Sequence, residues 1–357
     1  MVSLTPVTNS PFYTGAVGSI PYSVAFHPSG TLLATANNLG NSGQGSVSLF
    51  GVSASDLKLL GSPVSTGATT PTSVAFSPDG ALLAAANYGG SGNGSVAVYV
   101  VASAPPHLTA LQGSPFATGA DEYPFSVAFH SNSKPPFLAA ADLLNKNTVS
   151  TFSITHPATG WVVAPPVSFK TGVLPQGGGP MELAFHPSGT YLATANSDAG
   201  SVSLFTVFGA TQLGLLSPPI PTGPAGVVVN TLAFSPNGHF LATGAGATAT
   251  ATVQMFKFST IAPYLTVLGA PVSTGAFGAT QSVAFSPNGN LLAVASTNNV
   301  SLFVVDSTGT LTLQGTPIAI SGNPGPRSLA FSPSNKLLAV GCGNWGNKPA
   351  VSLLAVT

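Results

Sequence analysis

The chain has 357 residues, and its 8 basic and 8 acidic side chains leave a formal net charge of zero, with charged residues making up only 4% of the sequence. A neutral protein lacks the excess of lysine and arginine with which proteins bind nucleic acids and anionic membrane surfaces, so both are excluded as partners. Gly, Pro, Ser and Thr interrupt every apolar run before it reaches the roughly 18 residues that a membrane helix needs, and we expect a soluble chain without membrane insertion.

The N-terminal segment, residues 4–13, is predicted to be a β-strand that belongs to a repeat seen later in the chain. Residues 10–15, Ser-Pro-Phe-Tyr-Thr-Gly, match Ser-Pro-Phe-Ala-Thr-Gly at residues 114–119. No basic stretch followed by an apolar stretch occurs at the start, so the sequence does not predict a signal peptide.

Four short strands follow in the first repeat unit. Its apolar runs are rich in Val, Leu, Phe and Ala and are bounded by Gly, Pro and Asn, which is typical of strands rather than helices. We place strand a at 23–26, strand b at 32–36, strand c at 47–52 and strand d at 57–64. The turn between strands a and b is His-Pro-Ser-Gly, in which proline presets φ and glycine accepts a positive φ.

The same unit recurs along the whole chain. A box of the form Ser-Val-Ala-Phe-Ser/His-Pro-x-Gly-x-Leu-Leu-Ala marks each strand a, and its phenylalanines lie 46 to 56 residues apart, at Phe26, Phe76, Phe129, Phe185, Phe234, Phe285 and Phe331. Seven units of four antiparallel strands predict an all-β fold, a single-domain seven-bladed β-propeller. The predicted blades cover residues 21–67, 71–119, 124–173, 180–223, 229–275, 280–322 and 326–357 together with 2–15.

The last unit is incomplete. It has strand a at 328–331, strand b at 337–341 and strand c at 351–356, and no strand d follows. We expect residues 4–13 to supply the missing strand, because this pairing closes the ring and removes an exposed sheet edge.

The blades read Gly-Ser-Pro-Phe-x-Thr-Gly, Ser-Val-Ala-Phe-Ser-Pro-Asp-Gly, Leu-Ala-x-Ala-Asn and Val-Ser-Leu-Phe. In these motifs the chain resembles the lactonase-like, YVTN-type bacterial propellers. The resemblance implies that strand a lines a central channel and that the d-to-a and b-to-c loops share one face, the top face, where ligands usually bind. It also implies that a lactonase of this fold would use Glu, Arg and usually His around the channel.

The residue before each box serine is predicted to ring the channel mouth. Seven different residues occupy this position, which favours a ligand-binding site, although a loosely constrained position is the alternative; they are Tyr22, Thr72, Phe125, Met181, Asn230, Gln281 and Arg327. The box serine itself is replaced by Glu182 in the fourth unit. Burial would raise the pKa of Glu182 toward that of a general acid or base unless Arg327, the only arginine, holds it ionised. The alternative is a solvated glutamate in a water-filled channel.

A second top-face position follows each strand b. The residues there are predicted to form Asx-turns or similar structural contacts, and they are Asn37, Asn87, Asp142, Asn196, Ala245, Ser296 and Cys342. An acidic patch on blades three and four is expected from Asp121, Glu122, Asp142 and Asp198, together with Glu182. It would meet a cation or a hydroxyl-rich ligand.

The histidines are predicted to lie on the opposite, bottom face. His27, His130, His186 and His239 are in or beside a-to-b turns, and His107 and His156 are in c-to-d connections. A histidine-based hydrolytic site therefore does not fit the repeat register. Of the Glu, Arg and His that the resemblance implies, only Glu182 and Arg327 are expected at the channel mouth. Cys342 has no evident base nearby and is expected to be a buried structural thiol, and no metal site or cofactor is predicted.

The first functional hypothesis is a non-catalytic propeller that is secreted or lies at the cell surface. It would act as a binding module for a protein or carbohydrate at the top face or as a self-assembling structural subunit, since low charge reduces repulsion between copies. The alternative is a lactonase-like hydrolase acting on a sugar lactone at the channel mouth, with Glu182 as base and Arg327 as carboxylate clamp. An engineered propeller without evolved activity is a minor third hypothesis.

Overall fold

The computed structural model describes residues 2–39, 43–89, 93–132, 136–144, 146–158, 160–173, 178–209, 211–223, 227–246, 250–320, 325–345 and 348–357. These residues form seven antiparallel sheets arranged as the blades of one propeller. Within the described ranges every regular element is a strand, and none is a helix that could cross a membrane. The predicted all-β seven-bladed fold is confirmed.

Strand a is the innermost strand of each blade and strand b follows it. Strands a are Ile20–Phe26, Pro71–Phe76, Pro124–Phe129, Pro180–Phe185, Val228–Phe234, Thr280–Phe285 and Pro326–Phe331. Strands b are Leu32–Asn38, Leu82–Asn87, Phe137–Asp142, Tyr191–Asn196, Phe240–Gly246, Leu291–Ser296 and Leu337–Trp345. Strands b are rich in alanine and almost wholly buried, because both faces of the sheet are covered by neighbouring blades at this radius.

Strands c lie further out and strands d form the rim. Strands c are Ser46–Val52, Ser95–Val101, Thr148–Thr155, Ser201–Phe208, Thr250–Phe258, Asn299–Val305 and Lys348–Val356. In blade 5 strand d is continuous, at Leu265–Phe277. In blades 1, 2, 3, 4 and 6 it is split into two segments, which are in that order Leu57–Leu59 and Val64–Ser65, Leu108–Ala110 and Phe116–Ala117, Val162–Val163 and Val167–Lys170, Gln212–Leu215 and Ile220–Pro221, and Leu311–Leu313 and Ile318–Ala319. A proline lies at or next to each break, and proline cannot donate to the ladder.

The N-terminus closes the ring as expected. Leu4–Pro6 and Phe12–Tyr13 both pair antiparallel with Lys348–Val356, with Leu4 opposite Val356 and Phe12 opposite Val351. Backbone hydrogen bonds between Ser3 and Thr357 extend the pairing to the end of the chain. The first and last segments of the sequence therefore form one blade.

The hydrophobic core is divided among the blade junctions. Seven buried clusters each combine residues of two neighbouring blades, so every junction has its own apolar packing. Between blades 2 and 3, for example, Leu82 and Val96 pack with Leu138 and Phe152. This ring of junctions holds the inner strands rigidly around the channel, where the polar side chains lie.

Candidate functional site

A β-bulge near the start of each strand a positions the channel-mouth residues. The register of strand a against strand b shifts between Pro21 and Ser23 in blade 1, and an equivalent shift occurs in all the other blades. The residue inside each shift is the variable residue that precedes the box serine. A bulged residue has no cross-strand partner and its side chain is re-aimed, so the bulge turns this position toward the channel.

The channel mouth is a pocket that encloses about 690 Å³ of space, part of it open to solvent. All seven predicted mouth residues line it, together with Glu182 and all five box serines; the lining residues are Tyr22, Ser23, Thr72, Ser73, Phe125, Ser126, Met181, Glu182, Asn230, Gln281, Ser282, Arg327 and Ser328. The predicted placement of these residues matches the structure, while their role in ligand binding stays a prediction.

The box serines join neighbouring blades by hydrogen bonds. The hydroxyl oxygens of Ser23, Ser73, Ser282 and Ser328 each accept a bond from a backbone N–H of the next strand a, as where Val74 N–H donates to Ser23 Oγ over 3.2 Å. Glu182 takes this role between blades 4 and 5, because Leu232 N–H donates to its Oε2 over 2.9 Å. Glu182 is thus held in place by the scaffold and is not a freely solvated side chain.

The environment of Glu182 favours its protonated form. Burial raises the pKa of the Glu182 carboxyl to about 7, and the hydrogen bonds from Thr231 and Leu232 oppose that rise. The sequence left open that Arg327 holds Glu182 ionised. Arg327 is not among the groups that lower the pKa of Glu182, so it does not have this effect. A carboxyl that titrates near neutrality is suited to exchange a proton with a bound ligand.

Arg327 is the one cation among the described residues that line the pocket. Its Nη1 donates to Gln281 Oε1 over 3.1 Å, and its guanidinium carbon lies 5.5 Å from the centroid of the Tyr22 ring. These contacts, from blade 6 on one side and blade 1 on the other, fix the guanidinium at the wall of the pocket. The positive charge faces a site in which Glu182 is the only carboxylate among the lining residues.

A row of aromatic rings leads from the pocket toward the outside of the top face. Tyr22 meets Phe125 edge to face at 6.3 Å, Phe125 meets Tyr88 at 6.1 Å, and Tyr88 lies 5.5 Å from Tyr123, all between ring centroids. Tyr88 and Tyr123 were not predicted from the sequence. Their sequence signal is weak, since Tyr88 merely follows strand b of blade 2 and Tyr123 precedes strand a of blade 3, and no repeat position brings them together.

The predicted acidic patch does not form at the surface. Glu122 and Asp142 are buried, with 4% and 0% of their surface exposed, and only Asp121 and Asp198 are exposed. Ser150 Oγ lies 3.1 Å from Glu122 Oε2 and 2.7 Å from Asp142 Oδ2, so the two carboxyl groups share a hydroxyl inside blade 3. The patch was a wrong prediction because repeat register places a residue on a face but does not give its depth.

The side chains at the end of strand b do not form the expected Asx-turns. Asn37 donates through Nδ2 to Ser48 Oγ over 2.7 Å, and Asn196 donates to Ser203 Oγ over 2.8 Å, so each amide bonds strand c of its own blade. Cys342 is buried, and its thiol contacts Val340 O and Ser352 Oγ. This ring of residues is structural, as predicted, but it joins two strands instead of capping a loop.

The histidines lie away from the pocket, and none is among its lining residues. His27, His130 and His186 extend across the bottom-face junctions, where the ring Nε2 of each reaches a glycine carbonyl in the turn of the next blade, at 3.2, 2.7 and 3.0 Å. The same rings meet Phe76, Phe185 and Phe234 edge to face. These histidines hold neighbouring blades together, and their placement agrees with the sequence-based expectation.

Comparisons with known proteins agree with this architecture. A family model described as "Lactonase, 7-bladed beta-propeller" matches residues 10–321. The periplasmic gluconolactonase of Pseudomonas aeruginosa is similar in fold, with a TM-score of 0.69, 22% sequence identity and coverage of 85% of this chain and 86% of that chain. No curated protein sequence matches this chain significantly.

Two further structures show how widely the fold is shared. A candidate 6-phosphogluconolactonase from Bacteroides uniformis has a TM-score of 0.65 and 17% identity, and the match covers 89% of this chain and 96% of that chain. Hydrazine synthase of Kuenenia stuttgartiensis has a TM-score of 0.68 and 16% identity, covering 98% of this chain and 99% of that chain. Identities at this level establish the fold and leave function to be argued from the site.

Proposed function

We infer, because the chain belongs to the seven-bladed β-propeller lactonase family, that it is a hydrolase that opens a lactone ring in the channel mouth. The observation that carries this proposal is Glu182, a scaffold-held carboxyl with a pKa raised by burial to about 7 in the wall of the pocket. Such a group can remove a proton from water near neutral pH.

The family match overturns the first hypothesis from the sequence, a non-catalytic binding module or self-assembling structural subunit. That hypothesis gave weight to the low charge and to the missing histidine at the channel mouth. Low charge describes the outer surface and says little about a channel, and a glutamate can act as a base without a histidine.

The proposed reaction adds one water to the lactone. Ionised Glu182 takes a proton from a water molecule as the water oxygen forms a bond to the lactone carbonyl carbon. The tetrahedral intermediate then breaks its bond to the ring oxygen, and the proton held by Glu182 passes to that oxygen as it leaves as an alcohol. The product is a hydroxy acid, and Glu182 returns to its ionised form.

Arg327 complements the charge that this reaction creates. The carbonyl oxygen becomes negative in the intermediate and the product is a carboxylate, so a cation held at the pocket wall stabilises both. The bond to Gln281 and the contact with Tyr22 hold the guanidinium in place before the substrate arrives. Groups that are already positioned do not have to reorganise during the reaction.

The pH dependence follows from the role of Glu182. A general base must be ionised, and its raised pKa of about 7 means that it is mostly protonated at pH 5 and mostly ionised at pH 9. We therefore expect kcat/KM to rise with pH and to level off above an apparent pKa near 7.

The experiment is a panel of sugar and aliphatic lactones with the wild-type protein and Glu182→Gln. Proton release is followed against pH, with spontaneous hydrolysis subtracted. Turnover that depends on Glu182 supports the proposal, and equal rates in wild type and Glu182→Gln would remove Glu182 as the base. Asp142→Asn, the same acid-to-amide change at a buried carboxyl outside the pocket lining, is the matched control for nonspecific disturbance of the ring.

We further propose a location outside the cytoplasm. The similarity in fold to a periplasmic gluconolactonase supports this. Cell fractionation of the native host, with antibody detection, tests it.

A further inference from the structure

The channel mouth is chemically divided into two sides. Blades 4 to 6 contribute Glu182, Asn230 and Gln281 beside Met181, and the first three carry polar groups able to bond a lactone ring and its hydroxyls. Blades 1 to 3 contribute Thr72 and the aromatic row of Tyr22, Phe125, Tyr88 and Tyr123. This division suits a ligand with a polar part on one side and an apolar part on the other.

The aromatic row is too long to serve only the ring that reacts. From Tyr22 to Phe125 is 6.3 Å and from Phe125 to Tyr88 is 6.1 Å, and only the first two of these rings line the pocket. Tyr88 and Tyr123 continue the row outward, between strand b of blade 2 and strand a of blade 3. All four side chains are partly exposed, so the row is an accessible surface and not a piece of core.

The contacts within the row keep it in place without a ligand. Tyr88 is packed against two other rings, and burial, with the neighbouring Tyr123, raises the pKa of its hydroxyl. Rings that are already ordered lose little conformational freedom when they bind an apolar group.

Charge at the pocket end of the row does not favour an anionic substituent. Arg327 is the one cation among the described pocket-lining residues, and it is engaged by Gln281 and by the face of Tyr22. In the proposed reaction the same guanidinium meets the carbonyl oxygen. A second anionic group, such as a phosphate on the substituent, would find no free cation within this pocket lining.

We propose that Tyr22, Phe125, Tyr88 and Tyr123 form a subsite for an uncharged, apolar substituent of the substrate, an aryl or alkyl arm attached to the lactone ring. This proposal rests on the proposed lactonase function. It defines the substrate class as neutral lactones with an apolar arm that lies across the aromatic row while the ring carbonyl lies between Glu182 and Arg327.

The test compares two lactones that differ only in the arm, γ-phenylbutyl-γ-butyrolactone and γ-methyl-γ-butyrolactone. Wild-type protein should have the higher kcat/KM with the phenylbutyl compound. Tyr88→Ala should reduce the ratio of the two kcat/KM values by about tenfold, the contribution expected of one well-placed aromatic contact, chiefly through KM. Tyr88→Phe keeps the ring and should keep the ratio, and Phe125→Ala should reduce it as Tyr88→Ala does.

A ratio that is the same in wild type, Tyr88→Ala and Phe125→Ala overturns the subsite, provided that thermal melts show the variants folded. A separate measurement distinguishes the subsite from the proposed function. The matching lactams cannot be hydrolysed in this way, and their binding is measured by calorimetry. If wild type hydrolyses no lactone but binds the phenylbutyl lactam, and Tyr88→Ala weakens that binding, the subsite stands and the hydrolase assignment fails. Absence of both turnover and lactam binding overturns both.

Discussion

Two carboxylic acids break the repeat of this propeller, and their surroundings differ in one decisive respect. Glu182 in blade 4 stands where five of the other blades have a box serine, and Asp142 in blade 3 stands where Asn37, Asn87 and Asn196 lie at or next to the end of strand b in their blades. Burial raises the pKa of both carboxyl groups, to about 7 for Glu182 and about 8 for Asp142. Glu182 opens into a pocket, whereas Asp142 is fully buried. A raised pKa marks a chemical site only where a ligand can reach the group.

The polar clusters of blades 3 and 4 show what the change from Asn to Asp costs. In blade 4 the Asn196 amide donates to Ser203, and Thr194 donates to its oxygen, so donors and acceptors are matched without charge. In blade 3 Asp142 only accepts when ionised, and among the residues that the structure describes its Oδ1 has no hydrogen-bond partner. The residue equivalent to Thr194 there is Ala140. The neighbouring Glu122 carboxyl adds repulsion that a proton on Asp142 relieves.

The largest effect is expected when Glu182 is returned to the residue of the repeat. Glu182→Ser should lower kcat by about 10²- to 10⁴-fold, the usual contribution of a general base. The fold should persist, because a serine here can accept the Leu232 N–H as Ser23 accepts that of Val74. Initial rates and thermal melts check both halves. If a folded Glu182→Ser variant kept its activity, Glu182 would not be the catalytic base, although it opens into the pocket.

Removal of the guanidinium should also affect only the open site. Arg327→Met keeps much of the side-chain volume but loses the charge, and we expect kcat/KM to fall by about 10- to 100-fold, the range for a lost hydrogen bond to a charged group. Arg327→Lys should recover part of the loss because it restores the charge without the planar fork. A kinetic pH profile separates this effect from one on Glu182, since the apparent pKa should stay near 7. A large drop in melting temperature with unchanged kinetics would instead give Arg327 a structural role.

Asp142→Asn should change stability and leave catalysis alone. The acid ionises near pH 4 in an unfolded chain and near 8 in the folded one, so the wild-type free energy of unfolding falls as pH rises through that window. Asn cannot ionise, so the advantage of the variant should grow with pH and reach about 1–3 kcal/mol above pH 8.

Urea unfolding at pH 5 and pH 8.5 measures this difference. The reciprocal variant Asn196→Asp should place the same cost in blade 4, lowering stability more at the higher pH. Equal stability of Asp142→Asn and wild type at both values would show that ionisation of Asp142 costs the folded state nothing.

The repeat made the blades, the ring closure and the mouth residues predictable. It did not predict how deeply side chains are buried or which side chains of adjacent blades meet. The spacing of the box phenylalanines located every strand a, and the position before the box serine located the pocket lining. The burial of Glu122 and the meeting of Tyr88 with Phe125 depend on side-chain depth and on neighbours in adjacent blades. The spacing of a repeat along the sequence gives neither the depth of a side chain nor its neighbours in other blades. The sequence favoured a non-catalytic role because no histidine falls at the channel mouth, whereas the family match supports a hydrolase.

The smallest expected effect concerns His186 of the bottom face, which responds to pH in the opposite sense to Asp142. His186 accepts the Ser188 N–H at Nδ1 and so donates from Nε2 to Gly238 O, which requires the neutral ring. Burial lowers its pKa, so the stability it contributes is present above the ordinary pKa near 6.5 and is lost as pH falls through the lower folded value. His186→Gln keeps an amide donor that does not titrate and should lessen the acid sensitivity of unfolding between pH 7 and 5. The change should be roughly a few tenths of a kcal/mol, since the ring is only half-buried and solvent screens it. An unchanged acid slope in His186→Gln would assign the acid response to other groups and leave this ring a packing role against Phe234.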